Sequence, residues 1–227
     1  MVQSAPTRDR RTVQINRILG GAQRLFVAHG YHATTLAQIA KESDLSNESS
    51  LHYYFKSKSE LLLRLFVRIE EDVLNLMAQR VANAGPSAKE KLIAFRDTKV
   101  LMSRTYLSDA LLRILMSLEF QNPDDKLCQE VRKIHRLIQR TVEGVIEFGK
   151  LRGAFRTDLE TQELAAMIVG AHDGIMLELH RMAGSIDGEA LIKSLQFAML
   201  RGLEDKTVAH GEGELLRPSW QAPGTHP

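Results

Sequence analysis

Thr34–Lys58, TTLAQIAKESDLSNESSLHYYFKSK, is the stretch that decides the fold. Leu36, Ile39 and Ala40 fall at helical spacing behind Thr35, an N-cap residue type, while Lys41 and Glu42 are left for solvent. The helix stops at Ser43-Asp44. A steep turn between two helices needs a residue that tolerates positive φ, and Asp does so at modest cost. Leu45 then plugs the core. In the following segment Leu51 and Phe55 lie four apart and face inward, which leaves hydroxyls, an amide and an imidazole on the outside. This is a helix-turn-helix whose outer face suits the major groove of DNA.

Working outward, ILGGAQRLFVAHGYHATTLAQIA (18–40) reads as a first helix closed by Gly30, then an aromatic, Tyr31, a threonine pair and the second helix. LHYYFKSKSELL (51–62) ends the third helix and opens a fourth at Ser57-Lys58. Together these segments resemble the N-terminal domain of the TetR family, the one-component bacterial repressors. The resemblance implies an all-α fold of about nine helices. An N-terminal three-helix DNA-binding domain would precede a C-terminal helical domain for effector binding and dimerisation. Two departures stand out: Asp44 occupies a position where the family usually has Gly, and the spacing from Leu45 to Leu51 is one residue longer than usual. The extra residue either sits in the turn or lengthens the start of the recognition helix.

On that resemblance, Thr34, Thr35, Tyr54, Lys56 and Lys58 fall where the DNA backbone is held, and Ser46, Asn47, Ser49, Ser50, His52 and Tyr53 where bases are read. Asn47 is the first choice, because a carboxamide pairs bidentately with adenine. Glu48 either accepts from a cytosine amino group or turns away. Lys58 at a helix N-terminus is expected on a phosphate, a contact that positions without specifying.

Charge agrees with this division. Residues 1–58 hold eight Lys/Arg against four Asp/Glu, and the remainder 22 against 24, so a basic module sits on a near-neutral body. Such asymmetry is the footprint of a nucleic-acid surface. With a flexible basic arm expected over residues 1–10, Arg8, Arg10 and Arg11 either lie along phosphates or enter a minor groove, or remain a solvated tail. A lone Cys128 excludes an intrachain disulfide and a cysteine-based zinc cluster. With no apolar run at the N-terminus and none of about 18–20 residues elsewhere, the expectation is a cytoplasmic protein without a membrane partner.

The expected organisation is an arm (1–10), a DNA-binding domain (11–58), a helical effector-binding and dimerisation domain (59–204) and a disordered tail (205–227) that includes Trp220. Capping boxes are expected at Ser57/Glu60, Ser87/Glu90 and Thr157/Glu160, with a break at Asn83-Ala84-Gly85-Pro86 and a last helix opened by Asp187. FGKLRGAFRTDLETQELAAMIVGAHDGIMLEL (148–179) also resembles the family, whose last two helices pair with a second subunit. Ala166, Gly170 and Gly174 lie four apart and form a smooth stripe for close helix approach, at about 1 kcal/mol per glycine. They point to a homodimer interface; the alternative is packing within the chain.

The family places a small-molecule effector among the middle helices, in a mostly apolar pocket. Candidate lining residues are Phe95, Met102, Met116, Phe120, Ile134, His135, Ile138, Met167, His172 and Met176. His29 and His32 straddle Gly30 and do not share a face, so no metal site is expected there, and no cofactor is expected anywhere. His172-Asp173 and His180 lack a nucleophile or phosphate loop to work with, so the chain does not read as an enzyme. The expected function is regulation of transcription through a near-palindromic operator, as a repressor released by a small-molecule effector. A ligand-independent regulator, an activator, or an interaction protein with impaired DNA binding are the alternatives.

Overall fold

Capping residues and glycines set the boundaries of nine helices among the described residues, which in this computed structural model are 5–183 and 185–204. The first helix, α1 (Ala5–His29), buries Ile18, Leu19, Ala22 and Phe26 and ends at Gly30, whose φ of 84° is the left-handed stop that glycine supplies. Residues 5–10, expected on a flexible arm, form its first turns; residues 1–4 lie outside the described residues, as does the expected tail from 205 onward. Thr35 caps α2 (Leu36–Glu42) in a reciprocal box with Gln38. Asp44 then takes a φ of 55° and makes the turn in the conformation that glycine usually provides. Asn47 caps α3 (Glu48–His52), which buries Leu51.

A long rod, α4, follows over residues 58–82. Its two α-helical parts, Lys58–Ile69 and Asn75–Ala82, are joined by a π-helical turn at Glu70–Leu74. Ser57 accepts from Glu60 N, but the Glu60 carboxylate accepts from Lys56 N, so the expected reciprocal box is only half formed. The box at Ser87/Glu90 is complete and opens α5 (Ala88–Thr105). Next come α6 (Leu107–Glu119) and α7 (Lys126–Leu151), the latter capped by Asp125. The expected Thr157/Glu160 box is absent, and α8 begins later, at Thr161–Arg181. Residues 155–158 instead lean on the end of the last helix, where Arg156 N donates to Leu203 O at 2.9 Å. Asp187 caps that helix, α9 (Gly188–Leu203). Beyond the single bridge of Phe155 with Glu204, the described residues contain no strand.

One continuous apolar core runs from α1–α3 through α4 into the body. Each large buried aliphatic or aromatic side chain in it is worth about 1.5–3 kcal/mol. The head is also tied to the body by polar contacts: the Glu119 carboxylate at the end of α6 accepts from Tyr31 N and His32 N, and Phe120 meets the Tyr31 ring at 5.1 Å. Gln23 of α1 donates to Asp109 at 2.9 Å, and Arg68 of α4 donates to Gln23 at 2.6 Å. The recognition module is thereby braced against α6, the helix that also borders the body interior.

Candidate DNA-binding surface and interior ligand site

The helix-turn-helix presents a small outward face. Ser49, His52 and Tyr53 are exposed, Tyr53 by 70%, and the Arg11 guanidinium of α1 lies over the Tyr53 ring at 5.5 Å. His52 Nε2 is 3.6 Å from the Glu48 carboxylate, which draws Glu48 along the helix. Ser46 and Ser50 bond each other through their hydroxyls. Asn47, the first choice as base reader, is committed locally: its Oδ1 accepts from both Ser50 N and Ser50 Oγ. A carboxamide with its oxygen so occupied lacks the free acceptor that bidentate pairing with adenine needs.

Two residues expected on the DNA backbone are turned into the protein. Thr34 is buried, and its hydroxyl donates to Gly30 O at 2.7 Å. The Lys58 ammonium donates to Tyr31 O and Thr34 O, each at 2.7 Å, and sits 4.4 Å from the Tyr31 ring centroid. It therefore closes the loop between α1 and α2, and burial holds its pKa below the ordinary lysine value. Thr35, Lys56 and Tyr54 remain at or near the surface, with Tyr54 edge-on to Tyr53 at 5.0 Å.

Of the ten candidate effector residues, Phe95, Met102, Met116, Ile134, Ile138, His172 and Met176 are buried in the body, whereas Phe120 is buried at its junction with the head, against Tyr31 and His32. Met167 is not: it is 66% exposed and lines an outer groove of about 370 Å³ between α8 and α9, with Leu159, Leu164 and Met199. The same outer surface carries Ala166, Gly170 and Gly174, and a Cβ added at Gly170 or Gly174 meets no heavy atom within 4 Å. Close packing inside the chain is thus not what calls for those glycines.

The interior also holds charges that sequence reasoning missed. Lys99 of α5 is fully buried, Arg113 of α6 nearly so, and both approach Asp173 of α8. Arg113 is hydrogen-bonded to Asp173, whereas Lys99 Nζ stands 3.9 Å off, beyond hydrogen-bond reach. Burial pushes Asp173 up, but Arg113 and Lys99 outweigh it and hold the carboxyl below its usual range. Burial pulls Lys99 down to about 8 and His172 down to about 4. His172 Nδ1 lies 2.7 Å from Ile168 O, so that nitrogen carries the proton and Nε2 is a bare acceptor. Among the described residues Lys99 Nζ and His172 Nε2 have no hydrogen-bond partner, nor does Gln196 Nε2. Next to this cluster, His135 lines a cleft of about 250 Å³ with Ser117, Val131, Arg132 and Arg136. In sequence, the only signal of the cluster was a pair of cations inside helices otherwise apolar on that side.

Residues 18–65 match the family model for bacterial regulatory proteins of the tetR family. The MbdR regulator from Azoarcus sp. CIB, a solved structure, is 35% identical and superimposes with a TM-score of 0.77, covering 84% of this chain and 98% of that one. The chain belongs to the TetR family. The fatty acid metabolism regulator protein of Bacillus subtilis (strain 168) is 23% identical over 193 residues, covering 84% of this chain and 95% of its own length. The structure of the transcriptional regulator FadR from Bacillus subtilis in complex with stearoyl-CoA shares the TetR-family fold, at 22% identity and a TM-score of 0.67, with 82% of this chain and 97% of that one covered. The TetR family and these relatives are transcriptional regulators rather than enzymes, and its members act through operator DNA. Among the described residues no helix is long and apolar enough to cross a membrane.

Proposed function

We propose that this DNA-binding transcriptional regulator is a cytoplasmic repressor that grips a near-palindromic operator as a homodimer and leaves it when a small molecule occupies its helical body. The observation that carries the reading is the junction at α6. Its C-terminal carboxylate, Glu119, holds Tyr31 and His32 of the head, while Arg113, two turns earlier on the same helix, belongs to the buried charge cluster of the body. A ligand that moves α6 acts on both places. Differential affinity for two positions of that helix is all that release requires.

Base reading falls to Ser49, His52 and Tyr53, which are exposed and take no part in the Asn47 cap or the Ser46–Ser50 bond. Arg11 beside Tyr53 and Lys56 supply backbone charge. Dimerisation uses the outer face of α8 and α9, where open glycines and exposed Met167 and Phe197 form one surface. Selection of bound sites from random DNA tests the reading: two inverted half-sites separated by about one helical turn or a multiple are expected. Recovery of unrelated sequences, with affinity set by salt alone, would remove the operator-specific role.

A further inference from the structure

Lys99 is a cation on an interior helix face with no hydrogen-bond acceptor among the described residues. A buried charge is costly unless it is paired and hydrogen-bonded, and Lys99 is met only in part: Asp173 is hydrogen-bonded to Arg113 and stands 3.9 Å from Lys99 Nζ. With two cations and one carboxylate, and with His172 and His135 neutral, the cluster carries one uncompensated positive charge. Phe95, itself buried, lies beside both Lys99 and His172. Its ring has Lys99 Nζ 5.5 Å from its centroid and the His172 ring at 5.3 Å, so an unsatisfied donor and an unsatisfied acceptor flank one aromatic ring.

A cleft borders the cluster, although Lys99, Phe95 and His172 do not themselves line it. The cleft bounded by Ser117, Arg132, His135 and Arg136 is basic at its rim, and His135 is within electrostatic range of Arg113, Asp173 and Lys99 behind it. At about 250 Å³ the cleft is smaller than the pockets that take drug-sized ligands.

Building on the ligand-released reading above, we propose that the body binds a small organic acid, preferably a hydroxy acid, which enters by this cleft. Its carboxylate accepts from Lys99 Nζ and its hydroxyl donates to His172 Nε2. The carboxylate cancels the uncompensated charge, and the hydroxyl meets an acceptor whose other ring nitrogen is already committed to Ile168 O. Arg132 and Arg136 draw the anion in from solvent without following it.

The test uses the full chain and four probes matched in size: mandelate, phenylacetate, the uncharged styrene glycol and the cationic phenethylamine, with sodium acetate as the smallest carboxylate. Thermal melting and calorimetric titration at constant ionic strength read binding. Mandelate is expected to bind at least about tenfold tighter than styrene glycol, as one charge-assisted hydrogen bond provides, with phenylacetate between them and phenethylamine silent. Lys99→Met should remove the preference for the acids over the glycol while still melting cooperatively. Equal binding of the glycol or the amine, an undiminished acid response in Lys99→Met, or no response to any carboxylate including acetate overturns the assignment. Equal binding of phenylacetate and mandelate overturns the role given to His172. Operator binding is read separately: acid binding that leaves operator affinity unchanged removes the release reading and leaves the acid site standing.

Discussion

Replacing Lys99 by Met should make the protein more stable. In the folded chain its pKa falls to about 8 from the ordinary 10.5, because burial costs the charged form more than the attraction of Asp173 returns. At pH 7 the side chain is protonated in both states, so the folded state bears the whole difference, on the order of 3 kcal/mol at about 1.4 kcal/mol per unit. Methionine keeps the unbranched stem and removes the charge; allowing for imperfect repacking, a gain of about 1–3 kcal/mol is expected. For a chain of this size that is roughly 2–4 °C in melting temperature per kcal/mol. The sign of the pH dependence follows. Between pH 8 and 10.5 the unfolded chain holds a proton on Lys99 that the folded chain has released, so wild-type stability rises with pH through that window relative to the variant. Urea unfolding of both proteins at pH 7 and pH 10, at one protein concentration, measures the difference. A variant more than 1 kcal/mol less stable at pH 7, or an advantage that does not shrink at pH 10, refutes the reasoning.

His172, with a folded pKa of about 4 against an ordinary 6.5, works in the acid range: the unfolded chain takes up its proton first, so stability should fall as pH drops from 6.5 to 4, and the fall should be smaller in His172→Phe. Lys58→Ala should cost about 1.5–3 kcal/mol of head stability, since two carbonyls lose a charged donor, with little change in the salt slope of DNA binding; a slope flattened by about one unit in a fully folded head would place the ammonium on a phosphate after all. Asn47→Ala should lower stability by about 0.5–2 kcal/mol through loss of the α3 cap and weaken all operators alike, whereas His52→Ala should alter preference at one base pair per half-site, which a base-by-base binding profile resolves. The Gly170→Leu, Gly174→Leu double variant should sediment as a monomer at micromolar concentration and bind operator weakly; a normal dimer with normal affinity would clear this face of the role.

The head was legible because its logic is local. Thr35, Asp44 and Leu51 declare a cap, a turn and a core position, each through its near neighbours in sequence, and the structure places each of them so. What could not be read was direction. Lys58 at a helix start looks the same in sequence whether its ammonium faces solvent or folds back on Tyr31 O, and Asn47 looks the same as base reader or cap. The interior cluster was illegible for a related reason. A lysine or arginine in an amphipathic helix is ordinarily the mark of a solvated face, and Lys99 and Arg113 break that rule only through contacts with Asp173, more than fifty residues away. The helix start signals divide in the same way. Asp187 and Ser87 cap their helices as expected, while Thr157 was outcompeted by a distant partner, the carbonyl of Leu203, which draws its neighbour Arg156 toward α9.

The π-helical turn at Glu70–Leu74 has a consequence for the rod as a whole. Such a turn absorbs about one residue more than an α turn of the same height, and one residue is about 100° of rotation. The stripe with which Leu61, Leu62 and Leu65 grip the head and the stripe with which Met77 and Val81 meet the body are therefore out of phase as faces of a single cylinder, and the turn is where that phase is reset. The Glu70–Lys133 pair at 2.8 Å clamps α7 at that same point. Deleting one residue there would leave every side chain in either half intact and would unscrew the two halves from each other by over a quarter of a turn. In the proposed dimer, the angle at which two reading heads meet DNA is a matter of helical timing as much as of contact.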